Sequence, residues 1–248
     1  MLNIDHLSYS SISTYLACSK YWEFKYIQKI PLPTAVALVF GSAFHGAIEK
    51  AILAKTKPAN QWDSAWKEQM EERKEIAWGF DTPESIYNEG LRMLSDKAIE
   101  GVITGLTASY IEREIVLRVP GVPIPITGKI DIIGMDGIPG DFKTSAKSWS
   151  ENKAQDELQP LFYLAALSQI GEPVARGRFR HYVFCKTKVP KVQVLEHEHD
   201  LKEMFFLFSM IQNIWKGISA GVFIENPTNW KCSAQYCEYW NICRGKRS

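Results

Sequence analysis

Gly128-Lys129-Ile130-Asp131, followed by Gly140-Asp141-Phe142-Lys143-Thr144, is the stretch on which the fold of this chain turns. Each run reads as a β-strand, and Asp136-Gly137 between them is a hairpin turn signal. Side chains alternate faces along a strand, so Asp141 and Lys143 project from one side. Asp131 lies on the preceding strand, and the three polar groups can converge on one point. Paired carboxylates suit a hard divalent cation, and an ammonium beside them suits an activated water or a phosphate oxygen. This is the minimum equipment for metal-assisted phosphodiester hydrolysis.

An Asp-x-Lys on a strand is commonly just a solvated face. Here the flanking positions Ile126, Ile130, Ile132, Ile133, Ile138 and Phe142 are apolar, which makes both strands core-bound. Buried charge is costly unless it is paired or ligates metal, and the motif therefore calls for partners elsewhere in the chain.

The chain has 248 residues, 46% hydrophobic and 23% charged, enough for a substantial core. A net charge of +1 gives no global attraction to a polyanion, so any nucleic-acid binding must rest on local patches. No run is expected to cross a bilayer, and Met1 to His6 lacks a basic-then-apolar leader. No membrane partner is expected, and the default compartment is the cytoplasm, of a bacterial or phage-infected cell. There, the five cysteines point to metal or redox chemistry rather than to disulfides.

Working outward, Ser10 or Ser11 is expected to cap a short helix through Cys18. Helices are expected over 41–55, 62–78, 84–106, 161–170 and 201–218. Strands are expected over 112–119, 124–133, 138–144, 177–186 and 192–196. Helices around a central sheet give an α/β domain with a helical N-terminal elaboration.

Further side chains extend the chemistry. His45 lies on an otherwise apolar helix face, and imidazole is a competent Mn²⁺ ligand and tolerable for Mg²⁺. Glu114, with Glu112 as its competitor on the same strand face, can add a carboxylate. Gln159 and Tyr163 are four apart, although Pro160 favours a helix start at Gln159. Cys232, Cys237 and Cys243 need a fourth ligand, for which Cys18 is a candidate; four thiolates suit iron–sulfur or Zn²⁺ alike. Arg176, Arg178, Arg180, Lys186, Lys188 and Lys191 gather near one strand pair, and Arg244, Lys246 and Arg247 follow the last cysteine. They can track a DNA backbone, with Tyr21, Trp22 or Tyr239 for stacking.

In order along the chain, these motifs resemble the RecB-like branch of the PD-(D/E)XK nuclease superfamily. They are closest in kind to the iron–sulfur exonucleases related to the AddB nuclease domain and to CRISPR-associated RecB-like nucleases. Ser11 to Phe24 looks like the opening segment with its first cysteine, Gly41 to His45 the histidine motif, and Gly128 to Asp131 the aspartate motif. Asp141-Phe142-Lys143 looks like the acid-x-Lys motif, Gln159 to Tyr163 the Gln-x3-Tyr, and the last three cysteines the C-terminal trio. Pro160 within the Gln-Tyr motif and Ser19-Lys20 in place of Pro-Arg depart from the pattern.

The resemblance implies a restriction-endonuclease-like core: a central mixed sheet flanked by helices, with an iron–sulfur cluster joining the termini. It implies one nuclease domain over 1–248, with cluster-binding ends at 1–30 and 222–248 and a helical insertion at 56–110. Asp131 and Asp141 would bind Mg²⁺ or Mn²⁺, with His45 as a further ligand and Glu114 nearby. Lys143 would position the attacking water, and Gln159 and Tyr163 would orient the lysine or the DNA. Cys18, Cys232, Cys237 and Cys243 would hold a [4Fe-4S] cluster, with Zn²⁺ as the alternative. Arg178, Arg180, Lys186 and Lys188 would contact DNA. The implied activity is a DNA exonuclease acting on single-stranded or duplex ends in recombination, repair or DNA processing. Without a helicase portion it would stand alone or join a recombination or CRISPR adaptation complex, in a phage or mobile-element setting. The alternative from another class is a non-catalytic DNA-end-binding or adaptor subunit.

Overall fold

The computed structural model describes residues 4–172 and 177–245. Strand β1 (Leu7–Ser8) leads into α1 (Tyr9–Ala17), α2 (Ser19–Trp22) and a π-helical turn over Glu23–Ile27. Next come β2 (Thr34–Ala35), the long α3 (Val36–Ala54), α4 (Trp62–Glu72) and β3 (Ile76–Ala77). Helices α5 (Pro83–Leu94) and α6 (Lys97–Gly105) precede β4 (Ala108–Leu117), β5 (Ile126–Gly134) and β6 (Pro139–Ser145). Then follow α7 (Glu151–Gln155), α8 (Gln159–Gln169), β7 (Arg178–Cys185), β8 (Lys191–Glu198), α9 (Glu203–Ser219) and α10 (Trp240–Arg244).

The chain divides into two compact units. Unit 1 comprises Met1–Leu32, Val116–Gly128 and Lys202–Ser248, and unit 2 comprises Pro33–Ile115 and Lys129–Leu201. In unit 2 the sheet order is β5-β6-β7-β8, with β4 against β5. β5 and β6 are antiparallel and in register at Ile132 and Gly140, β6 and β7 are parallel, and β7 and β8 are antiparallel. This is the α/β fold with a central mixed sheet flanked by helices that the sequence led us to expect. At the hairpin Gly137 takes φ +77°, and the Asp136 carboxylate accepts the Ile138 N–H, so the Asp-Gly pair makes the turn.

The core of unit 2 brings Phe40, Phe44 and Ile48 of α3 against Trp62, Met93, Ile99, Phe142 and Phe184. Gly90 lets α5 close on this core, because a Cβ there would lie 2.1 Å from the Trp62 ring. By length and composition α3 is apolar enough to cross a membrane, contrary to the expectation that no run would be. Its apolar side instead packs in this core, and His45 and Glu49 interrupt it.

Unit 1 joins three separated stretches. β1 pairs in parallel with the first residues of β5, Leu7 opposite Ile126. Trp22 is buried among Tyr15, Tyr26 and Phe223, with ring centroids 5.4–5.8 Å away. The C-terminal segment is bound to the N-terminal one by hydrogen bonds. Asn226 and Asn229 both donate to the Ala17 carbonyl, Tyr239 donates to the Ile30 carbonyl, and the Ile224 N–H donates to Ser19 Oγ.

Several boundaries differ from expectation, and four of them are instructive. The cap of α1 is Ser8, in a reciprocal box with Ser11. The helix expected over 84–106 is two, because the Asp96 side chain accepts the Ala98 and Ile99 N–H groups and starts α6 afresh. The helix expected over 62–78 stops at Glu72, and Ile76–Ala77 pair with β2. α3 starts at Val36, ahead of the expected Gly41.

Candidate active site

The sheet of unit 2 carries the acidic pair on adjacent strands. Asp131 stands in β5 between the buried Ile130 and Ile132, and its Oδ2 accepts the Phe142 N–H at 2.6 Å. Asp141 stands in β6, is 3% exposed, and meets the Lys143 ammonium at 2.8 Å. The two-residue spacing does place Asp141 and Lys143 on one face. His45 comes in from α3, with Nδ1 3.6 Å from Asp131 Oδ2.

Helix α8 supplies the rest. Gln159 is its first residue, with Pro160 in the opening turn where a missing N–H is harmless. Gln159 and Tyr163 nevertheless share a face. Lys143 Nζ donates to Gln159 Oε1 at 2.7 Å, Gln159 Nε2 donates to Tyr163 Oη at 2.7 Å, and Tyr163 Oη donates to the Lys129 carbonyl at 2.8 Å. This relay runs from the backbone of β5 through two side chains to the ammonium. It fixes the amide orientation of Gln159, because its oxygen must face the lysine.

Electrostatics follow from burial. It pushes the Asp131 carboxyl up to about 7, against the opposing Phe142 N–H bond. It likewise pushes Asp141 up to about 6, with Lys143 pulling the other way. Burial pushes His45 down to about 4, outweighing the attraction of Asp141, so its imidazole is neutral at pH 7. Burial also disfavours the charged form of Lys143, but Asp141 and Asp131 hold its ammonium above the ordinary lysine range. Two crowded carboxylates beside a neutral imidazole form a donor set that a hard divalent cation satisfies, and such a cation would draw both acids into the ionised form. Among the described residues, no three His, Cys, Asp or Glu side chains already surround one point.

Of the strand β4 acids, Glu114 is exposed, and its charge is felt at Lys129. Glu112 is the one whose charge acts on Asp131 and His45; it also pairs with Lys129. Its backbone is left-handed at φ +52°, which turns the side chain in a way that strand alternation does not anticipate. Glu49, one helical turn after His45, adds a carboxyl raised by burial and by Glu112. The spacing of four on α3 was the available signal for it. His181 is register partner to Asp141 and is buried, its pKa pushed down to about 3 by burial and then by Lys143.

The remaining expectations fall out unevenly. Arg178 and Arg180 pair with Glu196, and Arg180 also with Asp136. Lys186 lies 4.6 Å above the Phe40 ring, and Lys188 is exposed. Arg176, Lys246 and Arg247 lie outside the described residues. Trp22 and Tyr239 are buried, and Tyr21 packs on Tyr239 with centroids 4.7 Å apart, so these rings serve the fold. In unit 1, Cys18, Cys232, Cys237 and Cys243 all line one cavity of about 460 Å³, and Cys185 is buried in the sheet of unit 2. Burial raises the Cys237 and Cys243 thiols, and the other thiols add to the effect.

Strand-borne carboxylates with an ammonium on the next alternate position, on a mixed sheet backed by helices, make a candidate hydrolase site of the acid-x-Lys kind. The family model of the PD-(D/E)XK nuclease superfamily matches residues 6–244, and the chain belongs to that superfamily. Members of it typically use Mg²⁺ or Mn²⁺. No curated protein matches the sequence. Among solved structures, a candidate exonuclease from Eubacterium rectale superposes with a TM-score of 0.66 at 10% identity, covering 98% of this chain and 90% of that one. SSO0001 aligns over 96% of this chain and 98% of its own at 14% identity, with a TM-score of 0.35 that carries no weight.

Proposed function

We propose that this protein is a divalent-metal-dependent DNA exonuclease acting on single-stranded or frayed ends. The observation that carries the reading is the relay Lys129 carbonyl–Tyr163–Gln159–Lys143, which holds an ammonium against Asp141 beside Asp131. Non-catalytic end binding, the alternative, gives no reason to keep a half-buried ammonium oriented in this way. Asp131, Asp141 and the neutral His45 would hold Mg²⁺ or Mn²⁺. When bound, the cation would supply Lewis acidity to the phosphoryl oxygen and lower the pKa of water. Lys143 donates to the attacking water or to the phosphate oxygen that gains charge, and the relay keeps its ammonium from swinging away. Likeness to a candidate exonuclease favours end-directed over internal cleavage.

The test is digestion of linear DNA labelled at the 5′ or 3′ end, against closed circular DNA, with Mg²⁺ or Mn²⁺. Metal-dependent loss of linear DNA is expected. Circular DNA cut as readily would overturn the exonuclease assignment, and binding without cleavage in any divalent metal would establish the adaptor role.

The thiols of Cys18, Cys232, Cys237 and Cys243 would hold a [4Fe-4S] cluster with a structural role, since hydrolysis needs no electron transfer. Their common cavity supports this, and metal binding would offset the burial that raises the Cys237 and Cys243 thiols. Protein purified without oxygen should be brown, with a broad visible band. A colourless protein carrying one zinc per chain would replace the cluster with Zn²⁺. DNA recombination or repair, and partners in a recombination or CRISPR adaptation complex, fit such an enzyme.

A further inference from the structure

We propose that Lys129 takes a backbone phosphate of the incoming strand, and that Glu112 occupies its ammonium until the strand arrives. The inference rests on the nuclease reading above and extends it to substrate binding.

Lys129 precedes Asp131 by two in β5, so the two side chains leave the strand on the same face. The lysines of the site differ in what they are free to do. Lys143 is 29% exposed and committed to Asp141 and Gln159. Lys129 is 53% exposed, and its ammonium pairs with Glu112. An ion pair this accessible to water is weak, and a phosphate can displace the carboxylate.

The charge around Asp131 calls for such a cation. Glu112 acts on Asp131, His45 and Glu49, all in the sense of added negative charge. A bound cation would offset Asp131 and Asp141 but would leave the negative charge of Glu112 and Glu49 to repel a polyanion. Lys129, which feels Glu112, Glu49 and Glu114 together, is placed to reverse that sign for one phosphate. Glu112 reaches it from a left-handed backbone position that L-residues adopt at a cost, so its direction is not a by-product of strand geometry.

The backbone of Lys129 adds register. Its carbonyl is the terminus of the relay that orients Lys143. A phosphate held by the Lys129 side chain therefore sits at a spacing from the Lys143 ammonium that the protein itself sets. Lys129 is thus a substrate-positioning residue, and Glu112 is an internal carboxylate competitor of the phosphate.

The experiment is steady-state cleavage of a short single-stranded oligonucleotide by wild type, Lys129→Gln, Lys129→Arg and Glu112→Gln over a salt series. Binding of the same fluorescent oligonucleotide in Ca²⁺ is read in parallel. Lys129→Gln should raise KM about tenfold with less than a threefold change in kcat, the signature of a lost phosphate contact. The slope of log(kcat/KM) against log[salt] should become shallower by about 0.7, one single-strand phosphate contact. Lys129→Arg should restore most of the affinity, and Glu112→Gln should lower KM severalfold. Wild-type KM and salt slope in Lys129→Gln would overturn the proposal while leaving the nuclease reading standing. So would a loss of kcat in Glu112→Gln that excess Mn²⁺ recovers, since Glu112 would then be a metal ligand. A wild type that cuts no strand in either metal sinks the hydrolytic reading, and this proposal with it.

Discussion

In unit 2 the polar groups of the candidate site are bound to one another before any metal or substrate is considered. Lys143 is held by Asp141 and Gln159, Gln159 by Tyr163, and Tyr163 by the backbone of β5. In unit 1 the four cysteines face a common cavity, and their own contacts are long: Cys18 reaches the Ile224 carbonyl at 4.0 Å, and Arg244 reaches Cys232 at 3.8 Å. The order around them comes from other side chains, such as Asn226, Asn229 and Tyr239. One arrangement is preorganised by its own hydrogen bonds, as turnover requires. The other is a cavity whose central bonds the proposed metal would supply. The contrast teaches that the candidate active site is held in place while empty, whereas the proposed metal site would become rigid by filling.

The comparison predicts that changes at the two sites separate in what they move. The largest effect is on turnover: Asp131→Asn, Asp141→Asn and Lys143→Ala should each lower the rate on linear DNA by about 10³-fold or more, without changing bound iron or zinc. Retained activity in both Asp131→Asn and Lys143→Ala would break the comparison at once. Next is stability. Cys18→Ser should abolish the visible band or zinc content and lower Tm by about 10 °C, the equivalent of roughly 3 kcal/mol in a chain of this size. An unchanged melting curve would show that the cavity needs no metal.

A third prediction concerns pH in the metal-free protein. Burial raises Asp131 to about 7 and Asp141 to about 6. These two carboxyls then hold more protons in the folded state than in the unfolded one from about pH 4 to about pH 7, so their contribution to stability falls as pH rises through that window. His45 and His181, pushed down to about 4 and about 3, contribute in the opposite sense. Asp131→Asn should remove the Asp131 share of that fall and raise stability relative to wild type at pH 8 by roughly 2 kcal/mol, and Mg²⁺ should raise the wild-type Tm there. Thermal melts of both proteins between pH 4 and pH 8 read this directly, and a stability gain of Asp131→Asn over wild type that does not grow with pH contradicts it. The smallest effects belong to the relay. Gln159→Ala should lower kcat about 10- to 100-fold, and Tyr163→Phe less, with both keeping metal affinity. Equal loss in kcat and metal affinity would place Gln159 on the metal rather than on the lysine.

Much of this was legible because it is local. The β5–β6 hairpin follows from Asp136-Gly137 and its apolar flanks, and the shared face of Asp141 and Lys143 from spacing alone. The Gln159–Tyr163 pair was legible too, despite Pro160, since proline belongs at a helix start and a first residue still faces its fourth neighbour. What was not legible depends on partners distant in sequence. Arg178 and Arg180 read as an unpaired basic patch until β8 brings Glu196 opposite them and the hairpin brings Asp136. Trp22 and Tyr239 look available for stacking until the joined terminal segments bury them. Two-residue strands such as β1 and β3 exist only through their pairing and leave no periodic trace. Glu112 could not be separated from Glu114 because a left-handed residue inside a strand breaks the alternation on which the choice depended.

The three-part composition of unit 1 has a consequence for how the protein is made. Cys18 leaves the ribosome long before Cys232, Cys237 and Cys243, and all of unit 2 is synthesised in between. The acids, the lysine and the Gln-Tyr pair all come from the stretch between them. The cavity that gathers the four cysteines is therefore lined from both an early and a late part of the chain, whereas the candidate active site needs neither.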